Sequence, residues 1–260
     1  MTLVSTRRAY GYWAYQYKRI WRSSITSGFL MPVLFLAAMG VGLGSLINRH
    51  ASSTADLGGV NYLSFIAPGL LAASALQMAA LEGMFPVMGG IKWIKSYHAM
   101  LASPLSVTDV LYGHLLWMAT RVALGSGLFI VVMVAFGAVH SPEVIAAWPV
   151  AILTGVSMAA PVAAFTATRE TDQPLIAVFR FLVIPLFLFS GTFFPVSQLP
   201  GWLRPVAYVT PLWHGVALSR SLSLGNASVA AGIGHAVYLA AWVVAGAAWG
   251  RVTFARRLAA

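Results

Sequence analysis

Six apolar stretches, at about residues 25–47, 62–85, 109–139, 144–168, 176–194 and 231–250, constrain this chain of 260 residues more than any other feature. A hydrocarbon core of roughly 30 Å is crossed by about 20 residues of helix, so each stretch can span a bilayer. Inside a bilayer no water satisfies backbone amides and carbonyls, which favours helices over open strands. The predicted fold is therefore an all-α polytopic membrane protein with six transmembrane helices. Composition agrees, because 59% hydrophobic and 8% charged residues cannot be wrapped as a soluble domain without large exposed apolar patches. No internal repeat is evident, and the chain reads as a single domain.

Charge gives the orientation. Six spans put both termini on one side, and eleven Lys and Arg fall in the N-terminus, the 85–108 loop, the 169–174 loop and the C-terminus, against three (Arg49, Arg204, Arg220) in the opposite loops. Loops rich in Lys and Arg stay in the cytoplasm, so both termini are expected there, with the chain in the cell membrane. The net charge of +10 is then attraction to anionic membrane lipid rather than a sign of nucleic acid. With no cysteine there is neither a disulfide nor a thiol metal site. The N-terminus is too polar and too long to be the charged region of a cleavable signal peptide.

Before the first span, Tyr10, Trp13, Tyr17, Ile20 and Trp21 recur at three- and four-residue intervals, with Arg8, Lys18, Arg19 and Arg22 mostly elsewhere around the helix. Residues 1–24 thus read as an amphipathic helix in the cytoplasmic interface, residues 25–250 as the six-helix domain, and residues 251–260 as a cytoplasmic tail. Between the fifth and sixth spans, residues 190–215 are too polar and proline-broken to cross and too apolar for a free loop. They read as an extracellular re-entrant element.

Two cytoplasmic loops stand out. Ile91, Lys92, Trp93, Ile94, Lys95, Tyr97, His98, Met100 and Leu101 form an amphipathic stretch between the Gly89-Gly90 pair and Pro104, which delimit a short helix along the membrane face. It suits either a lipid surface or the transmission of force from a soluble partner. The second loop, with Arg169, Glu170 and Asp172, is a tight, charged contact point. Ionisable residues within spans are costly and mark function by default: Glu82 and Arg180, placed at similar depth as possible partners, and Arg121 in the third span.

The chain contains neither a Gly-Lys-Ser/Thr phosphate loop nor a His-Glu-x-x-His motif, so it cannot by itself bind a nucleotide in the Walker manner. Gly155-Val156-Ser157-Met158 with His235 resembles the serine and histidine of rhomboid-type intramembrane proteases, but the two residues lie roughly 13 Å apart in depth at about 1.5 Å per residue. A stand-alone membrane enzyme or an ion-coupled transporter is the alternative reading.

A stronger resemblance lies in Phe193-Phe194-Pro195-Val196-Ser197-Gln198-Leu199-Pro200, continued by Trp202-Leu203, Val206-Ala207-Tyr208, Pro211-Leu212 and His214-Gly215, with Ala99-Met100-Leu101-Ala102-Ser103-Pro104-Leu105, Asp109-Val110-Leu111-Tyr112-Gly113 and Pro68-Gly69-Leu70. This resembles the type-2 ABC export permeases, closest to the branch of nodulation-factor and daunorubicin-type exporters. The resemblance implies a transmembrane subunit that dimerises with itself or a related permease. It implies two copies of a soluble ABC ATPase that bind ATP and Mg, with no cofactor in this chain, and export of a hydrophobic or amphipathic compound such as a drug, glycolipid or lipid-linked saccharide. It further implies that residues 91–101 are the coupling helix, that Arg169, Glu170 and Asp172 make a secondary contact, and that Phe193, Phe194, Pro195, Leu199, Pro200, Trp202, Pro211 and His214 belong to the outer gate.

Overall fold

The computed structural model of the chain describes residues 3–49, 57 and 59–258, and among these every regular element is helical. Helix α1 (Leu3–Phe35) runs on through a π-type stretch, Leu36–Leu43, into a last turn, Gly44–Ile47. Then follow α2 (Tyr62–Met88, extended by the π-type stretch Gly89–Trp93), α3 (Ser96–Leu101), α4 (Val107–Ala135) and α5 (Val144–Ala167). The chain ends with α6 (Gln173–Phe189, with a π-type middle, Phe179–Val183), α7 (Arg204–Val209), α8 (Pro211–Leu224) and α9 (Val229–Leu258).

Among the described residues four helices are long and apolar enough to cross a membrane: Tyr62–Trp93, Val107–Ala135, Val144–Ala167 and Val229–Leu258. The first and fifth expected runs coincide with two shorter apolar helices, Val33–Ile47 and Gln173–Phe189. Local signals set several starts. The Asn61 side chain accepts the Ser64 N–H at the head of α2, and Ser106 with Asp109 forms a reciprocal capping box at α4. Thr210 caps α8, which opens on Pro211 and closes on Gly225, a glycine at φ 73°.

Helix α5 is the centre of the bundle, with α2, α4, α8 and α9 around it. Small residues let these backbones meet, as expected where lipid supplies no hydrophobic drive for helix association. A Cβ on Gly155 of α5 would lie 3.0 Å from the Ala75 carbonyl oxygen of α2, and one on Gly246 of α9 would lie 2.5 Å from Pro161 of α5. Thr166 adds a 2.9 Å hydrogen bond from its hydroxyl to the Gly83 carbonyl across the same contact.

The N-terminal segment differs from expectation. No break separates residues 3–24 from the first apolar run, and Tyr10, Trp13 and Tyr17 of its aromatic stripe pack on protein, while Trp21 is exposed. Trp13 stacks on His114 with ring centroids 4.4 Å apart, and Tyr10 and Tyr17 meet Trp117 edge-on at 5.9 and 5.4 Å. The Thr6 hydroxyl donates to Asp109 at 3.3 Å. Tyr10, Trp13 and Tyr17 share one face of the helix, and that face meets α4.

Candidate functional site

Both described termini, α3 and the 168–172 loop gather at one end of the bundle, the end richest in Lys and Arg. Helix α2 does not stop at Gly89-Gly90. It continues as a π-type stretch and breaks at Lys95, the one non-glycine with positive φ (55°) among the described residues. The expected single helix over 91–101 is therefore two pieces joined by an elbow. Gly90 permits it, because a Cβ there would lie 2.7 Å from the Tyr97 ring.

The elbow sorts its residues into surface and core. Trp93 and Ile94 are 58% and 71% exposed, side by side at the foot of α2, and Lys95 and His98 are exposed around them. Tyr97 is fully buried, contrary to its expected place among surface anchors, and Ile91 and Met100 are buried with it. Its hydroxyl meets His114 Nδ1 at 2.5 Å and its ring packs against Trp13 and Phe254, so it ties α3 to α1, α4 and α9. Leu101 is half-buried beside this cluster.

Glu170 is the electrostatic centre of this end. Lys92 Nζ donates to its carboxylate and to its backbone carbonyl, both at 2.7 Å, and Arg257 donates to the other carboxylate oxygen. Hydrogen bonds from Arg257 and Lys92 hold the Glu170 carboxyl far down, at about 2 against an ordinary 4.5. The joint thus ties Lys92 of the first loop to Glu170 of the second, and Arg257 binds the last helix into it. Arg169 lies over the Phe165 ring at 4.5 Å and donates to Thr168 Oγ1, while Asp172 sits exposed at the head of α6.

Within the spans, the expected pairing of Glu82 with Arg180 is corrected. Glu82 accepts from Arg121 Nε at 3.1 Å, and Arg121 also lies over the Tyr17 ring at 4.9 Å. A guanidinium on the neighbouring α4 that already stacks on α1 offers Glu82 a desolvated partner, whereas Arg180 is exposed on the π-type middle of α6. Helices α1, α2 and α4 are thereby joined through Arg121.

At the opposite end, Phe193 packs edge-on against Phe187 at 5.1 Å, and with Phe194 borders an apolar cavity of about 590 Å³ shared with Phe35, Met39 and Tyr62. Pro195 is extended and leads into a single 3-10 turn, Val196–Gln198. Leu199 is buried beside Val196 and Ala207, the Pro200 carbonyl accepts the N–H groups of Leu203 and Arg204, and Trp202 stands exposed at the tip. After Pro211, helix α8 lies antiparallel to α5, with Gly215 closely against Thr154 and Gly225 against Ser141. His214 Nδ1 meets His235 Nδ1 at 2.8 Å.

Residues 10–224 of the chain match the family described as ABC-2 type transporter. The chain belongs to that family. It is 32% identical to Nodulation protein J of Rhizobium leguminosarum bv. viciae over 86% of this chain and 82% of that protein. It is 28% identical to Nodulation protein J of Rhizobium meliloti strain 1021, over 87% and 82%, and 23% identical to the inner membrane transport permease YadH of Escherichia coli K12, over 81% and 79%. As a member of the ABC-2 family it is a multi-pass membrane transport permease, a component that lacks a nucleotide-binding domain.

In this ABC-2 permease one residue that sequence counting had left in an outer loop proves central. Arg220 of α8 donates through Nε to the Phe65 carbonyl at 3.0 Å, and through Nη2 to the Gly191 carbonyl at 2.8 Å and the Thr192 carbonyl at 3.4 Å. Its guanidinium also lies 3.8 Å from the Phe65 ring. It thus ties α2 to the turn where α6 ends, and Gly69 leaves the space, since a Cβ there would lie 3.0 Å from Arg220 Nη2. The signal was an arginine inside the apolar 211–224 segment, masked by counting it as a loop charge. The rhomboid-like pairing is not formed: the Ser157 hydroxyl donates to the Thr154 carbonyl at 2.7 Å, while His235 is engaged by His214.

Proposed function

We propose that the chain is the permease subunit of an ATP-driven exporter that moves a hydrophobic or amphipathic compound, of the drug, glycolipid or lipid-linked saccharide class, out of the cytoplasm or inner leaflet. In this reading it spans the membrane six times with both termini cytoplasmic, pairs with a second permease subunit, and carries two soluble ATPase subunits that bind ATP and Mg. Residues 190–215 form a re-entrant outer gate. Support for re-entry comes from Gly215, which lies against Thr154, well inside α5, while Gly225 returns to Ser141 before α5 begins.

The observation that carries the reading is the pair Trp93 and Ile94, two large apolar side chains exposed at the foot of a long membrane helix and ringed by Lys92, Lys95 and His98. The elbow at Lys95 and the Glu170 joint hold them rigidly, and the joint passes any displacement to α9 as well as α2. An exposed aromatic anchor with a cationic rim suits an acidic groove on a soluble ATPase. Truncating such an anchor costs about 2 kcal/mol or more, roughly thirtyfold in affinity. Trp93→Ala is therefore expected to reduce recovery of the ATPase on purification of the complex, or to uncouple ATP hydrolysis from transport. Normal recovery and coupling in Trp93→Ala, or cargo movement by the purified chain without an ATPase, would refute the assignment.

A further inference from the structure

The contact between His214 and His235 joins the first turn of α8 to the second turn of α9. The Tyr238 ring stacks on His214, with centroids 3.9 Å apart and 16° between planes, and Trp213 meets the two imidazoles edge-on at 4.9 and 5.3 Å. The Tyr238 hydroxyl donates to the Val209 carbonyl at the end of α7. His235 and Tyr238, three residues apart on one face of α9, thus grip the α7–α8 junction with two hydrogen bonds.

Proton counting makes one of these bonds conditional. A hydrogen bond between two Nδ1 atoms needs one N–H and one bare lone pair. The neutral pair meets this, and so does the pair with one extra proton. A second extra proton leaves two N–H groups and two positive charges face to face, and the bond cannot survive. Among the described residues no carboxylate pairs with either imidazole to offset that repulsion. On α7, Arg204 donates to the Leu199 carbonyl, and the Tyr208 ring meets Trp213 edge-on at 4.7 Å. On α8, Arg220 is turned to Phe65 and Gly191; on α9, the Tyr238 hydroxyl is turned to the Val209 carbonyl. From α2, Tyr62 donates to the Phe193 carbonyl and Glu82 is paired with Arg121, while α5 contributes no titratable side chain.

We propose that His214 and His235 form a proton-operated release: uptake of the second proton breaks the imidazole contact between α8 and α9 and loosens the hold of the last helix on residues 190–215, leaving the Tyr238 bond to Val209 as the remaining hinge. The inference rests on reading that segment as the outer gate, and it makes gating respond to acid on the gate side. The two protons bind in separate steps, the second less readily than the first, since the two sites are coupled. Between the two steps each opening event takes up one proton, so the open population rises about tenfold per pH unit.

The test uses the full chain in nanodiscs, where the absence of native cysteine leaves a single introduced thiol as the only target. Val196 is 6% exposed, packed with Leu199 and Ala207 against Trp213, which touches both imidazoles. Labelling of Val196→Cys by a charged thiol reagent, divided by that of Trp202→Cys at the exposed tip, is expected to rise about tenfold per pH unit as pH falls between the two protonation steps. With His235→Gln added, which cannot titrate, the ratio should stay flat. A flat ratio in the parent, or an equal slope with His235→Gln, overturns the release. Nitrogen-15 histidine spectra give an independent reading: two steps more than about one pH unit apart support the coupled pair, and independent titration of both rings near 6.5 overturns it. If labelling follows pH while transport by the assembled complex does not, the release stands and the gate reading falls.

Discussion

Trp93 and Tyr97 stand four positions apart in the same aromatic stretch, yet one is on the surface and the other is the pin around which α1, α3, α4 and α9 meet. Burial holds the Tyr97 phenol well above its ordinary range, so the hydroxyl keeps the proton that it shares with His114. Tyr97→Ala should lower thermal stability of the purified chain by about 3 kcal/mol, as truncation of a buried aromatic does, whereas Trp93→Ala should leave the melting curve unchanged. Equal melting of both variants would show that the stretch does not divide into surface and core. Glu170 predicts a pH dependence of definite sign. Its pKa is depressed in the folded chain, so its stabilising contribution is complete above the ordinary 4.5 and is lost as pH falls toward about 2. The stability difference between the parent and Glu170→Gln should therefore shrink below about pH 4.5 in melting experiments; a difference constant with pH would exclude the ion-pair account. Sequence alone made Lys92 and Glu170 candidates because charges beside a span are few. It could not separate Trp93 from Tyr97, since both satisfy the same apolar spacing, and only the turn at Lys95 decides which faces inward.

At the scale of elements, the long apolar helices were legible from hydrophobic length, and their caps from Asn61, Ser106 and Thr210. The interruptions were not. Gly89-Gly90 reads as a stop but is carried inside a widened helical turn, and the true stop falls on a lysine with no sequence mark. The ties between elements were equally hidden: Glu82 selects Arg121 over Arg180 because α4, not α6, presents a guanidinium to it. Arg220 is the clearest case, as it supplies donors to carbonyls from both α2 and the end of α6. Arg220→Gln should cost about 3 kcal/mol in thermal stability, because the Phe65 and Gly191 carbonyls lose a charged donor in a dry site. Arg220→Lys should recover part of it through a single bond. A Gln variant as stable as the parent would show these contacts to be dispensable.

For the molecule as a whole, the absence of cysteine makes topology directly measurable. With both termini in the cytoplasm, Lys95→Cys should be protected from an impermeant thiol reagent in intact cells, and Trp202→Cys should react. The reverse pattern would invert the orientation and with it the assignment of an inner and an outer end. Class, polytopic architecture and family were all readable from the chain, because apolar length and the 193–215 motif are local properties. The placement of the N-terminal segment was not, since its partner lies far away in sequence.

That distance orders events during synthesis. Thr6 and Asp109, which meet in the finished bundle, are separated by 103 residues, and ribosomes add about 5 to 20 residues per second. Tyr10, Trp13 and Tyr17 therefore leave the ribosome roughly 5 to 20 s before α4 exists to receive them. During that interval the bilayer surface is the cover within reach for such an aromatic and basic segment. The same residues would then serve first as a mooring for the nascent chain and afterwards as a wall of the bundle. Chains arrested at about residue 100 should leave a thiol at position 13 open to reagent, and chains arrested beyond about residue 175, with α4 fully emerged, should protect it. Equal protection at both lengths would mean that the segment finds its cover without α4.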